Sequence, residues 1–431
     1  MARDGVWAND RRARAGLPSV NLLTVWGSGR PWVDQQWLAQ LMFAGLSGLG
    51  GVRLVVLACS SFAAAAAVTA LVFARRRGGS TRAVVWVGVA ALELYVITAG
   101  NPRPQSLVYP LFVGLVLLIS SDSRRPSRRV LLTLPLLALW ANLHGSVILA
   151  AVLVAAYSPF VLRTRRAVGV LLAVGPMFCV FASPYALELA GYYKLLLGSS
   201  LGGYVLEWQP TRLSLITLPF YGLAAATVYL LGRCRGRLTS GEIMLLLVTA
   251  TAAEVATRNV VWFGLAAVCL LPAAVNPVLR PWLPRPGLNA VAGGIGIAAT
   301  VAAAVAAFGS PSTGTRPYPD EAAAIVSAAA GSTRDVYTTP TYGDWLLWKV
   351  PGLSGRVSTD ARLELLPSNR LRELTWLAQS AVNWKAITKG YSIFLLNVQE
   401  DRHLVAALTQ DGHVRQLYRA NGATVLVRDS T

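Results

Sequence analysis

The stretch from Arg124 to Arg166 decides the fold. It opens on Arg124-Arg125-Pro126-Ser127-Arg128-Arg129, runs through an apolar segment from Val130 to Leu143, and turns at His144-Gly145. A second apolar segment from Ser146 to Leu162 follows, closed by Arg163-Thr164-Arg165-Arg166. Two apolar runs bracketed by arginines read as a helical hairpin entered and left from one side of a membrane, because cytoplasmic loops retain arginine. Both runs are short for a hydrocarbon core of about 30 Å. The pair therefore reads either as two spans or as one hairpin packed inside a bundle.

The same alternation extends in both directions. Apolar runs lie near Val52 to Ala74, Ala83 to Gly100, Ser106 to Ser120, Val130 to Leu143, Ser146 to Leu162, Ala167 to Ser183, Leu213 to Gly232, Gly241 to Thr257, Asn259 to Asn276 and Leu288 to Phe308. These predict about ten transmembrane helices over residues 52–308. Arginines follow every second run: Arg75, Arg76, Arg77 and Arg82; then Arg124, Arg125, Arg128 and Arg129; then Arg163, Arg165 and Arg166. Arg233, Arg235 and Arg237 follow the seventh run, and Arg280 and Arg285 the ninth. Those loops are assigned to the cytoplasm and the intervening ones to the outer face.

The composition agrees. The chain has 431 residues, 54% of them hydrophobic and only 14% charged, with a mean hydropathy of +0.51. Soluble chains carry roughly a quarter charged residues, so an ordinary cytosolic enzyme is excluded. The net charge of +19 is nearly matched by the sixteen arginines of the five basic loops. It reports membrane orientation and gives no support for a nucleic-acid partner. The four cysteines, Cys59, Cys179, Cys234 and Cys269, form no CxxC pair and predict neither a zinc site nor a disulfide framework.

The outer face collects most of the remaining polar groups. Residues 1–51 are expected to be an external loop or interfacial segment, with Trp32-Val33-Asp34-Gln35-Gln36-Trp37-Leu38 lying along the bilayer surface, where indole rings prefer to sit. That placement leads to the expectation of a further membrane helix before Met1, or else of a short N-terminal tail that translocates without help. The other outer turns hold Asn101-Pro102-Arg103-Pro104-Gln105, Trp140-Ala141-Asn142-Leu143-His144-Gly145, a long loop from Ser183 that includes Glu207-Trp208, and Glu254, Arg258 and Asn259. Ionisable residues inside spans are costly and functional by default; Glu93 and Glu254 are the two expected there, Glu254 with Arg258 as a possible pair. The set predicts an outward-facing polar cavity.

From Ser312 onward the charge is nearly balanced, with eleven acids against thirteen bases. Residues 309–431 are expected to form an extracytoplasmic α/β domain. Pro319-Asp320-Glu321 opens a helix with acids in its first turn. Asp335 to Thr339 and Ser392 to Asn397 read as strands, Asp401 to Thr409 as a helix, and Val414 to Tyr418 with Thr424 to Arg428 as a closing hairpin. Asp360 and Arg362 follow a strand end, either as a ligand-binding pair or as a structural one.

No P-loop, GxGxxG, HExxH or GxSxG motif occurs. The order of features instead resembles the GT-C class of integral-membrane glycosyltransferases, in a bacterial branch with a C-terminal extracytoplasmic domain. The stretches that carry the resemblance are Gly29 to Leu38, Arg103-Pro104-Gln105, Leu139 to Gly145, Ser183-Pro184-Tyr185, Glu207-Trp208, Arg258-Asn259, Gly343-Asp344-Trp345-Leu346 and Asp360-Ala361-Arg362. It implies a polytopic, GT-C-like α-helical membrane protein of the plasma membrane. It also implies sugar transfer, hexosyl or pentosyl, from a polyprenyl-phosphate carrier to a glycan or lipid acceptor of the envelope.

Carried over residue by residue, Asp4 and then Asp34 match the acid of the first external loop. Arg103, His144 and Arg258 match the phosphate partners, with Gln105, Glu207 and Asn259 as further substrate-binding residues. No paired acid of the DxD or ExD type occurs in the outer loops, so no metal ligand is assigned; a divalent metal is compatible with the class, and the cofactor stays unknown. Two other readings remain open at this point: a non-enzymatic envelope scaffold, and a transporter or lipid flippase.

Overall fold

The computed structural model describes residues 19–99, 103–198, 205–215, 217–233, 236–279 and 318–429, together with 287 and 294. Asp4, Arg280, Arg285, Cys234 and the expected span from Leu288 to Phe308 lie outside them, as does the side chain of Glu93. Along the described chain the first part is helical: α1 (Trp37–Arg76), α2 (Thr81–Ala99), α3 (Tyr109–Arg124), α4 (Thr133–Ala141), α5 (Val147–Leu162), α6 (Arg166–Val180), α7 (Glu188–Gly198), α8 (Leu218–Arg233), α9 (Ser240–Val255) and α10 (Val260–Leu279). Three helical segments are long and apolar enough to cross a membrane: Trp37–Arg76, Pro104–Arg124 and Thr257–Leu279. Thr81–Ala91, Val147–Leu162 and Arg166–Val180 are shorter apolar helices.

The centre of the bundle is α10, buried at every position from Val260 to Pro272. A helix apolar on all sides belongs inside a bundle. Around it Tyr109, Phe112, Trp140 and Trp262 pack edge-on or tilted, with ring centroids 5.1–6.4 Å apart. The hairpin of α4 and α5 also faces inward: Leu137, Trp140, Leu153 and Tyr157 are buried. With nine residues, α4 rises only about 14 Å, which suits a packed half-hairpin better than an independent span.

α1 is broken at Gly50 and Gly51, where Gly51 takes φ 68° and ψ −170°, a region that only glycine enters without strain. The chain therefore enters α1 at Trp37, fifteen residues before the expected start at Val52, and bends where the expected boundary fell.

Two buried carboxylates organise the arginine-bearing end, and they were not among the ionisable residues expected inside the bundle. Glu242 is fully buried. It closes a capping box with Thr239 at the start of α9, accepts a hydrogen bond from Ser120 at 2.6 Å and two from Arg124 at 2.8 Å, and pairs with Arg77 at 2.6 Å. Asp122 accepts from Tyr157 at 2.9 Å and from the Ser127 N–H at 2.7 Å, and pairs with Arg165 at 2.5 Å. A buried carboxylate persists only with such partners.

The C-terminal part contains α11 (Asp320–Ala330), β1 (Val336–Thr338), α12 (Pro340–Lys349), α13 (Ser368–Gln379), α14 (Trp384–Ile387), β2 (Ile393–Asn397), α15 (Arg402–Thr409), β3 (Val414–Ala420) and β4 (Ala423–Arg428). The strands form one sheet in the order β1-β2-β4-β3, with β1 parallel to β2 and the other pairs antiparallel. The tight turn between β3 and β4 is Asn421-Gly422, both at positive φ, the residue pair that a two-residue hairpin favours.

The expected surface placement of Trp32 is corrected here. Residues 19–32 form part of the C-terminal domain. Thr24 bridges Val357 in parallel, and Val357 in turn bridges Val336, so the N-terminal segment extends the edge beyond β1. Trp26 and Trp32 are 8% and 3% exposed and sit in the two apolar cores of that domain. The reason is Arg362, itself 1% exposed. It pairs with Asp360, donates to Asn21 Oδ1 at 2.9 Å, and lies 4.2 Å from the Trp32 ring centroid. Asp360 and Arg362 are thus a structural clamp that fastens the first described residues to the last hundred.

Gly343 shows how closely α12 is seated. A Cβ there would stand 2.1 Å from the Thr359 carbonyl oxygen and 2.9 Å from Asp360 Cα, both backbone atoms that cannot rotate away. Gly343→Ala is expected to destabilise the domain by about 1–3 kcal/mol, toward the upper end. Thermal unfolding of the full chain should show a lower midpoint; an unchanged midpoint would contradict this seating.

Candidate active site

The end of the bundle opposite the arginine-rich loops is built from five turns. The turn before α1 packs on the turn between α4 and α5: Trp37 Nε1 donates to Asn142 Oδ1 at 2.7 Å, Gln35 Nε2 to the Ala141 carbonyl at 3.4 Å, and the Leu38 N–H to the Asn142 carbonyl at 3.2 Å. Gly145 packs closely on this junction: a Cβ would lie 3.0 Å from Gln35 Oε1. Asp34 is 1% exposed in this junction and accepts a hydrogen bond from the Gln36 N–H. His144 is buried in the facing turn, its Nδ1 2.7 Å from Ser146 Oγ.

Arg103 precedes the short helical turn Pro104–Val108, whose proline at the first position suits a helix start. Its Nη1 donates to Glu207 Oε2 at 2.6 Å, and both side chains are about half exposed, at 46% and 39%. Glu207 begins the short turn Leu206–Trp208. The neighbouring Trp208 ring lies 4.5 Å beneath the Arg258 guanidinium, and Arg258 sits in the turn Thr257–Asn259. The turns carrying Trp208 and Arg258 are tied by the Thr257 N–H donating to the Gln209 carbonyl and the Thr211 N–H to the Glu254 carbonyl.

These groups share one electrostatic neighbourhood. Ring burial, reinforced by the charges of Arg258 and then Arg103, pushes the His144 pKa down to about 3. The imidazole is therefore neutral at physiological pH and acts as a hydrogen-bonding group. The folded pKa lies below the unfolded value of about 6.5, so the stability it contributes is complete above that value and is lost as the pH falls toward 3. Arg258 also lies within electrostatic reach of Glu207 and Tyr192. Two guanidiniums thus share a single close carboxylate.

Among the described residues, buried polar atoms without a hydrogen-bond partner occur near these turns, at the arginine-bearing end and in the C-terminal domain; those near the turns are Gln35 Oε1, both amide atoms of Gln40, Ser106 Oγ and, in the aromatic floor, Trp262 Nε1. Sequence reading did not single out Gln40, Ser106 or Trp262. An amide one turn into an apolar helix was the available signal for Gln40.

Of the expected site residues, Arg103, His144, Glu207 and Arg258 come together, Asp34 lies in the turn packed against that of His144, and Gln105 is buried in the short turn Pro104–Val108 that precedes α3. Asn259 Nδ2 donates to the Ala252 carbonyl at 3.0 Å and so closes the end of α9. Glu254 is solvent-exposed, and the Arg258 guanidinium is stacked on Trp208. Asp4 lies outside the described residues. No group of three or more His, Cys, Asp or Glu that could hold a metal occurs among the described residues.

No protein-family model and no curated protein sequence matches the chain. Similarity appears among solved structures. The archaeal oligosaccharyltransferase AglB from Archaeoglobus fulgidus, in complex with an inhibitory peptide and a dolichol-phosphate, superposes with a TM-score of 0.57. The match covers 99% of this chain and 70% of AglB at 11% identity. ArnT from Cupriavidus metallidurans in the apo state gives a TM-score of 0.54 over 99% of this chain and 92% of its own, at 14% identity. Both are GT-C glycosyltransferases. The chain has the GT-C fold. Within the GT-C fold the polar turns described above lie at one end of the bundle and the paired arginines of α1, α3 and α6 at the other.

Proposed function

We propose that the chain is a membrane glycosyltransferase that moves a sugar from a polyprenyl-phosphate carrier to a hydroxyl of an envelope glycan or lipid on the outer face. The observation that carries this reading is the gathering of two guanidiniums, Arg103 paired with Glu207 and Arg258 stacked on Trp208, within electrostatic reach of the neutral His144. Such a site has cationic capacity to spare, as a phosphate requires. The fold, shared with a protein seen with dolichol-phosphate, supports the same assignment.

In the proposed reaction the acceptor hydroxyl gives its proton to a carboxylate, and its oxygen forms a bond to the anomeric carbon. The bond from that carbon to the phosphate oxygen breaks, and the electron pair leaves with the phosphate. Arg103 and Arg258 stabilise the charge that develops there, the larger part of such catalysis, and His144 supplies a neutral hydrogen bond. Asp34 is assigned as base within the described residues, with Asp4 as the second acid to test. The prenyl chain stays in lipid while the headgroup reaches the turns.

Transfer from polyprenyl-phosphate sugars by the full chain in liposomes tests this. Asp34→Asn or Asp4→Asn should reduce turnover about 100-fold or more, and Arg103→Gln should raise KM. Unchanged turnover in all three variants would overturn the site.

A further inference from the structure

The arginine-bearing end holds a cavity of about 590 Å³ that the proposed reaction leaves unused. Five of its lining residues are arginines: Arg76, Arg77, Arg124, Arg125 and Arg129. The acids available to them are already committed. Glu242 is held by Arg77 and Arg124, and Asp122 by Arg165. Counting Arg165 with the five gives six guanidiniums against two carboxylates, an excess of four positive charges. Arg76, Arg125 and Arg129 have no carboxylate within 4.0 Å among the described residues. Arg77 is only 8% exposed, and its Nε has no hydrogen-bond partner among the described residues.

Arginines that serve only to hold loops in the cytoplasm can spread into solvent. Here the ends of α1 and α3 and the loop after α3 bring them to one concavity, of a size within the roughly 300–1,000 Å³ of small-molecule sites. Its wall is completed by Leu117, Leu118 and Val130, an apolar side next to a cationic one. Planar guanidiniums with free donors match phosphate oxygens bidentately.

We propose that this cavity is a second anion site, distinct from the candidate active site, that binds a phosphate group at the arginine-bearing end of the bundle. The phosphate is that of an anionic lipid headgroup or a free soluble phosphate. Arg125 and Arg129, exposed and without carboxylate partners, are its adjustable donors, whereas Arg77 and Arg124 are fixed by Glu242.

The test uses the full chain in nanodiscs containing equal phosphatidylglycerol and phosphatidylcholine, with retained lipids read by native mass spectrometry. A parallel thermal-shift series adds inorganic pyrophosphate to discs of phosphatidylcholine alone. The Arg125→Gln/Arg129→Gln double variant is compared with Arg163→Gln/Arg166→Gln, which removes two exposed arginines of the same end that do not line the cavity. Preferential phosphatidylglycerol retention that falls about fivefold or more in the lining variant alone supports the site with a lipid as its source. Stabilisation by pyrophosphate that disappears in the lining variant alone supports it with a soluble source. Equal behaviour of wild type and lining variant in both series, or equal loss in the control variant, overturns the proposal.

Discussion

Arg258→Ala is expected to slow sugar transfer from a polyprenyl-phosphate donor by about 10²–10³-fold, the usual cost of removing one preorganised charge from a developing anion. The loss should fall mainly on kcat, because the phosphate carries more charge as the bond to the anomeric carbon breaks. Arg258→Lys should recover only part of the rate. A lysine keeps the charge but loses the planar donor pair and the stacking on Trp208 that fixes its direction. The fold should survive both changes, since a partly buried cation–π contact is worth about 1–2 kcal/mol. Steady-state kinetics with a thermal melt of each variant decides the matter. A variant that melts normally and turns over at the wild-type rate would remove Arg258 from the site.

Arg362→Leu should produce the largest loss of stability in the C-terminal domain, about 3–5 kcal/mol, because it leaves Asp360 as an uncompensated buried charge. It also removes the donor to Asn21 and the cation over Trp32, so the segment 19–32 should become sensitive to limited proteolysis. The double change Asp360→Asn/Arg362→Leu should restore part of the stability, since a neutral amide tolerates burial better than an orphaned carboxylate. Equal melting of wild type and Arg362→Leu, with no new cleavage, would show that the clamp does not hold the segment.

Features written in consecutive residues were legible before the structure. The hairpin of β3 and β4, the helix opened by Pro319-Asp320-Glu321 and the strand from Ile393 to Asn397 follow from alternation, turn chemistry and first-turn acids. The separation of a polar end from an arginine end also followed, because basic loops recur at every second turn. The sorting placed Arg103, His144, Glu207 and Arg258 at one end, although their pairing is a matter of three-dimensional approach and leaves no local mark.

Contacts between distant residues were the ones misread. Asn21 and Arg362 meet across 341 positions, and Trp32, which serves a core of the C-terminal domain, looks in sequence like part of an interfacial belt. Glu242 was similarly obscured. Thr239-Ser240-Gly241-Glu242 is readable as a capping box, but its complete burial depends on Arg77, Ser120 and Arg124 arriving from two other helices.

The central claim is that a polyprenyl phosphate binds among the turns of Arg103, His144 and Arg258. A structure of the full chain in a lipid nanodisc with a polyprenyl-phosphate sugar bound tests it most directly. The account predicts the phosphate within about 3 Å of the Arg103 and Arg258 guanidiniums, as charge-assisted hydrogen bonds require, and the prenyl chain along the outside of the bundle. A carrier phosphate seated instead in the cavity of Arg125 and Arg129, with the Arg103 turn unchanged, would contradict it.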